Sequence, residues 1–248
     1  MRAGSVPELP LSASAFTRSP GDVGGGQVQN RAVTLGVVGR HSRPDLDPER
    51  ADMFRLLFVC TGNLCRSPAA EIMTRHLLVG KLGGREAARF DISSAGVNAV
   101  VGEMMHPDTR DELAPWGLDG PAQAGAFRAR QLRSPMVRRS DLVLGASLRH
   151  RSAVVEREPA GLKNTFALRE FAALADAVDE TMLPEGDPVK RAHELVEQAR
   201  LKRGLVPLDR EELSVVDPIG KPQQAHHDAV VLITDAVYRI VEKIVPSR

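Results

Sequence analysis

The 248-residue chain contains only two cysteines, one tryptophan and one tyrosine, and aromatic residues make up 4% of it. Cys60 and Cys65 stand five positions apart, whereas a disulfide framework would be spread along the chain. The shortage of aromatics removes the stacking platforms on which single-stranded nucleic acids are held. An excess of one charge is missing too: 33 basic residues face 32 acidic ones, for a net charge of +1, which argues against general nucleic-acid binding. No apolar run approaches the roughly 20 residues of a membrane helix, and the N-terminus lacks the apolar core of a secretory signal. A cytoplasmic protein without membrane or nucleic-acid partners is expected. Metal-ligand spacing is absent as well. His226 and His227 are adjacent and would point in different directions on a helix, and His106 sits in a His-Pro-Asp turn. Surface or helix-start roles are expected for these histidines, and neither a metal nor a cofactor.

Hydrophobic residues make up 42% of the chain, enough for one α/β domain with extra segments. Residues 1–51 are rich in Gly, Pro, Ser and Arg, with one short apolar patch from Val33 to Val38, and are expected to be a disordered tail. A second reading takes Met53 as the true start of the protein. From Phe54 to Val59 a nearly continuous apolar run predicts a buried parallel strand. A helix is predicted from Ser67 as N-cap, with Pro68 in its first turn, to about Lys81, where Gly83-Gly84 would end it. Further strands are predicted at Phe90–Ser94, Leu142–Leu144 and Asn164–Ala167. Helices are predicted at Pro107–Trp116, Ser147–Glu156, Leu168–Ala175 and Pro222–Ile244, with a helix cap at Ser134–Arg139. This alternation implies an α/β fold: a single doubly wound domain, 52–248, with a parallel sheet flanked by helices. Residues 176–213 break the rhythm with Pro184, Gly186, Pro188 and Pro207 around a charged helical stretch, Val189 to Arg203, and are read as an inserted, surface-lying segment. The arginines between Arg128 and Arg157 are read as a solvated face.

Chemistry concentrates in Cys60-Thr61-Gly62-Asn63-Leu64-Cys65-Arg66-Ser67, at a strand end and a helix start. There, backbone N–H groups converge on one concavity and the helix dipole favours an anion. The Gly-Lys-Ser/Thr of a nucleotide-binding loop is missing. Instead a cysteine opens the loop, where its thiol can face the anion from below, and Arg66 closes it, where the guanidinium can fork two oxygens. Attack requires a thiolate, a form that helix N-termini and neighbouring cations favour, and Ser67 can donate to the same sulfur. A buried structural cysteine is the plain alternative, but strand, Gly-Asn turn, Arg-Ser-Pro and helix in succession argue against it.

The stretch Leu57 to Glu71 resembles the signature of the low-molecular-weight protein tyrosine phosphatases, Val-Cys-x-Gly-Asn-x-Cys-Arg-Ser-Pro-x-Ala-Glu. The resemblance continues in Ile92-Ser93-Ser94-Ala95-Gly96, Ser140 to Leu144 and Phe166 to Phe171. It covers about Phe54 to Ala175 and Val215 to Ile244, and it implies a four-stranded parallel sheet. By resemblance Cys60 is the nucleophile that forms a phosphocysteine intermediate, Arg66 the phosphate clamp, Ser67 the hydroxyl that stabilises the thiolate, and Asn63 the residue that holds the loop's shape. Thr61, Gly62, Leu64 and Cys65 complete the phosphate loop, and Cys65 matches a second cysteine able to form a reversible disulfide with the nucleophile. The family also places an Asp-Pro before its last helix as general acid. Asp217-Pro218 fits that place better than Asp187-Pro188. Ile219 and Gly220 follow where the family usually has an aromatic residue, which weakens the grip on phosphotyrosine, whereas Leu64 leans towards it; relatives acting on phosphoarginine commonly have Thr there.

The implied activity is hydrolysis of a phosphorylated protein or small phosphomonoester by a monomer or weak dimer. The alternatives are a small-thiol-dependent arsenate reductase, a phosphoarginine phosphatase and a non-catalytic phosphoanion-binding module. An arsenate reductase that relays electrons internally is excluded, because no cysteine follows Cys65. If translation starts at Met53, N-terminal sequencing of the native protein will begin there; residues upstream of Met53 would refute that start.

Overall fold

The computed structural model describes residues 52–207 and 209–247. The tail expected to be disordered, 1–51, lies outside the described residues. Four strands, β1 (Phe54–Cys60), β2 (Phe90–Gly96), β3 (Leu142–Gly145) and β4 (Thr165–Ala167), form one parallel sheet in the order β2-β1-β3-β4. Between and after them lie helices α1 (Arg66–Ala87), α2 (Pro107–Asp111), α3 (Ser134–Arg139), α4 (Leu148–Arg157), α5 (Leu168–Asp176), α6 (Pro188–Lys202) and α7 (Gln223–Ile244). No helix among the described residues is long and apolar enough to cross a membrane.

The continuous apolar run of β1 is explained by burial on both faces. Phe54, Leu56 and Phe58 join the core formed with α1, α5, α6 and α7, while Leu57 and Val59 face Val137 of α3 and Val154 of α4. The central strand is therefore covered on both sides, and its C-terminal end, Cys60, emerges where ligands bind in open parallel sheets.

Several elements depart from expectation. α1 begins at Arg66, with Cys65 at the cap position and no side-chain cap bond. Ser67 does not cap it, because its hydroxyl is engaged by Cys60 and Asn63. Gly83 does break the helix, at φ 73° and ψ 165°, but a further turn continues to Ala87. The helix expected over Pro107–Trp116 is two pieces, α2 and a 3-10 turn at Ala114–Trp116.

The reading of 176–213 as surface-lying is corrected. In α6 the residues Val189, Ala192, Leu195, Val196 and Ala199 are buried in the main core, a stripe at helical spacing that its charged residues obscure in the sequence. Asp187 caps this helix by accepting from the amides of Val189 (2.9 Å) and Lys190 (3.3 Å), and it also pairs with Arg89 at 3.1 Å. Arg191 donates to the Lys243 carbonyl at 2.7 Å, which ties α6 to α7. Arg203 donates to the Thr165 carbonyl at 2.7 Å and lies 3.8 Å above the Phe166 ring. Leu195 is fully buried, so Leu195→Ala should destabilise the protein by about 2–5 kcal/mol in denaturant titration. A loss well under 1 kcal/mol would return the segment to the surface.

Candidate active site

β1 runs straight into the loop of residues 60–65, and the segment after β2 fixes which way that loop's peptides face. The carbonyls of Cys60, Thr61, Gly62 and Leu64 accept from the amides of Val97 (2.9 Å), Asn98 (3.0 Å), Val100 (3.1 Å) and His106 (2.9 Å). In a planar trans peptide the C=O and the following N–H point in opposite directions. The amides of Thr61, Gly62, Asn63 and Cys65 are thereby turned away from that segment and into the concavity. Gly96 permits the close approach: a Cβ there would lie 2.5 Å from the Thr61 carbonyl oxygen.

Asn63 is the pivot. It is fully buried and adopts φ 58°, a left-handed conformation that asparagine tolerates better than most residues. Its Nδ2 donates to Ser67 Oγ and Ser94 Oγ, both at 2.9 Å, and its Oδ1 accepts from the Arg130 amide at 2.8 Å. Because Ser67 Oγ receives the Asn63 donor, its own hydrogen is free for the Cys60 sulfur 2.9 Å away.

Arg66, 6% exposed, reaches across to the segment before α7. Its Nη1 donates to the Val215 carbonyl at 3.1 Å and its Nη2 to Asp217 Oδ2. The buried Nε–H has no hydrogen-bond partner, so a donor stands ready beside the loop amides. Val215 in turn donates to the Ala146 carbonyl at 2.9 Å, which anchors the Asp217 turn to the end of β3. Asp217 itself is 45% exposed, and its Oδ1 accepts from the Ile219 amide at 3.3 Å. Asp187, capping α6, takes no part. Ile219 and Val100 are each 48% exposed, and Val100 lies close to Gly62.

Two groups of neighbours were not legible in the sequence. His150 of α4, buried, lies 3.0 Å through Nε2 from Thr61 Oγ1 and 2.7 Å through Nδ1 from Ser147 Oγ. Burial, helped by the Arg66 charge, lowers its pKa to about 4, so it stays neutral behind the loop. Nothing in the stretch Arg149-His150-Arg151 signals this role. Beyond Cys65, His226 is fully buried rather than at the surface and stacks on His106 with ring centroids 4.7 Å apart. Both cysteines are free thiols. Burial pushes Cys65 up to about 12, so a disulfide with Cys60 would need a Cys65 thiolate that its surroundings disfavour.

A family model described as low molecular weight phosphotyrosine protein phosphatase matches residues 55–202. The protein-arginine-phosphatase of Geobacillus stearothermophilus is 30% identical over 137 residues, 55% of this chain and 82% of that protein. "Probable low molecular weight protein-tyrosine-phosphatase EpsP" of Ralstonia nicotianae is 32% identical over 116 residues, 47% of this chain and 71% of that one. Among solved structures, the YwlE arginine phosphatase from Geobacillus stearothermophilus superposes with a TM-score of 0.53 at 26% identity, over 77% of this chain and 92% of that one.

His150 also makes the fold sensitive to acid. Its folded pKa of about 4 lies below the ordinary 6.5, so the unfolded chain binds a proton that the folded chain refuses between these values. Stability is fully present above about pH 6.5 and falls as the pH drops towards 4; His150 accounts for about 2 kcal/mol of the loss between pH 7.5 and pH 5. Denaturant titrations at the two pH values should show His150→Gln losing less stability on acidification than wild type. An equal loss would remove His150 as the cause.

Proposed function

The chain belongs to the low molecular weight phosphotyrosine protein phosphatase family, and from that premise we propose that it hydrolyses phosphotyrosine on proteins through a phosphocysteine intermediate on Cys60. The observation that carries this reading is the pairing of Cys60 Sγ with Ser67 Oγ at 2.9 Å in a loop closed by a buried arginine whose Nε–H is unpartnered. The phosphoryl group would sit over the sulfur, its oxygens bound by the amides of Thr61, Gly62, Asn63 and Cys65, with Leu64 at the rim and the Arg66 guanidinium as clamp.

The Cys60 thiolate then attacks phosphorus; the S–P bond forms as the P–O bond to the leaving group breaks. Asp217 supplies the proton that the departing oxygen takes up. Its bond to Arg66 keeps the carboxyl at the loop mouth, and a phosphate dianion that takes over the guanidinium frees it for that transfer. In the second half-reaction Asp217 accepts a proton from water, the hydroxyl attacks phosphorus, and the S–P bond breaks to release phosphate and the thiolate. Ser67 stabilises that thiolate each time it is the leaving group.

Phosphoarginine is the second reading, favoured by the 30% identity to a protein-arginine-phosphatase and by the aliphatic Ile219 beside Asp217. Leu64 favours phosphotyrosine. The substrate is placed among cytoplasmic phosphoproteins and the enzyme is taken to act as a monomer or weak dimer. Small-thiol arsenate reduction and passive phosphoanion binding remain the readings that an inactive enzyme would support.

Hydrolysis of an aryl phosphate and of matched phosphotyrosine and phosphoarginine peptides, in chelator, tests this. Wild type should turn over the aryl phosphate. Cys60→Ser should be inactive, and Asp217→Asn should lose about 10²–10⁴-fold in kcat, the usual worth of a general acid. The phosphotyrosine peptide should be preferred. Turnover of the phosphoarginine peptide alone would move the substrate, and an inactive wild type would sink the phosphatase reading.

A further inference from the structure

Cys65, His106 and His226 lie far apart in the sequence, yet one ligand atom of each falls within 4.8 Å of the other two. We propose that these three side chains form a binding site for a soft divalent cation of the zinc class, with the Asp108 carboxylate as fourth ligand. The function proposed above assigns no metal to the protein, and this site does not depend on it.

The donor chemistry fits. One thiolate and two imidazoles are the donors that zinc-class cations select, and a carboxylate commonly completes such a set. With metal–ligand bonds of about 2.0–2.3 Å, tetrahedral donors stand about 3.3–3.7 Å apart, so the side chains need to close by only about 1 Å. A thiolate and a carboxylate together balance the charge of a divalent ion.

Unpaired nitrogens mark the same place. Nε2 of the fully buried His226 and the buried Nδ1 of His106 have no hydrogen-bond partner. Both face one atom, Asp108 Oδ2, at 3.7 Å and 4.0 Å, too far for a hydrogen bond. A buried polar atom without a partner is costly, and two of them turned towards one carboxylate and one thiol leave a gap of the kind a cation fills. Asp108 is 42% exposed, which gives the ion a route in from solvent.

Neighbouring bonds hold the ligands in place. Thr109 Oγ1 lies 2.7 Å from His226 Nδ1, and the Thr109 side chain is also hydrogen-bonded to Cys65. If the hydroxyl donates to sulfur and accepts from Nδ1–H, the lone pair of His226 is left on Nε2, the unpartnered atom; this is the outer-shell support that metal-ligating histidines carry. The His106 amide donates to the Leu64 carbonyl at 2.9 Å, which pins the histidine beside the residue preceding Cys65. Binding would release the Cys65 thiol proton to solvent as the sulfur–metal bond forms. Cys65 is then a ligand and is withheld from Cys60.

Cobalt(II) is the probe, added to the chelator-treated full chain and followed by absorption, with zinc competition. Wild type should take up one equivalent with tetrahedral d–d bands and a thiolate-to-cobalt charge-transfer band, and zinc should abolish both. Cys65→Ser should lose the charge-transfer band, Cys60→Ser should keep it, and the partly exposed His106→Ala and the buried His226→Gln should each weaken binding about tenfold or more. The site is refuted if wild type shows no thiolate band, or if the band survives Cys65→Ser and disappears with Cys60→Ser, which would put the ion on the other sulfur. Unchanged affinity in His106→Ala, a variant at a partly exposed position, would refute it as well.

Discussion

Everything in the phosphate loop depends on Asn63 holding a left-handed backbone in the interior. Its side chain makes three hydrogen bonds, to Ser67, Ser94 and the amide of Arg130, and so joins the loop to the start of α1, to β2 and to the segment before α3. A residue at φ 58° inside a protein persists only when its surroundings determine it. Here those bonds do so, and they also orient the Ser67 hydroxyl towards Cys60. The outward-facing carbonyls of the loop belong to the same arrangement: once the segment 97–106 has taken them, the amides have only the concavity to face. The proposed anion site is thus preorganised by hydrogen bonds made outside it, the condition under which fixed dipoles act most strongly on developing charge.

The Arg66–Asp217 contact joins the two ends of the site. One partner sits at the start of α1 and the other 151 residues later, before α7. The guanidinium is buried, and two of its nitrogens donate to the Val215 carbonyl and the Asp217 carboxylate. The carboxylate is half exposed and held in its own turn. A buried cation and a half-exposed acid make a pair that can separate: the arginine stays, and the acid is the member free to move. That asymmetry suits the clamp and the proton donor proposed for these two residues.

The second cysteine occupies a different environment from the first. Cys60 faces the loop interior beside Ser67, whereas Cys65 lies against Thr109 and two stacked histidines. The low molecular weight phosphatase resemblance casts Cys65 as a disulfide partner, but burial holds it as a neutral thiol. A resolving thiol and a metal ligand both need the Cys65 thiolate, but a bound cation would itself stabilise that thiolate against burial, and the two histidines supply the rest of such a ligand set.

The sequence by itself determined the class of fold, because strand burial on both faces and a helix start leave local signatures in composition and spacing, and the loop from Cys60 to Ser67 carried the resemblance to its family. The sequence also offered Asp217 as the proposed general acid, because the family it resembles carries an Asp-Pro before the last helix. It misjudged α6, since a buried stripe of small and branched residues is hard to see among charges, and it misplaced the start of α1, since capping propensity cannot reveal that a serine is already bonded to a sulfur. Only the tertiary structure decided that His150 stands behind Thr61, that Arg66 meets Asp217, and that Cys65, His106 and His226 converge. These pairings cross 89, 151 and up to 161 positions of sequence, and distance along a chain carries no information about side-chain contact until strand order and helix packing have fixed which ends of the elements meet.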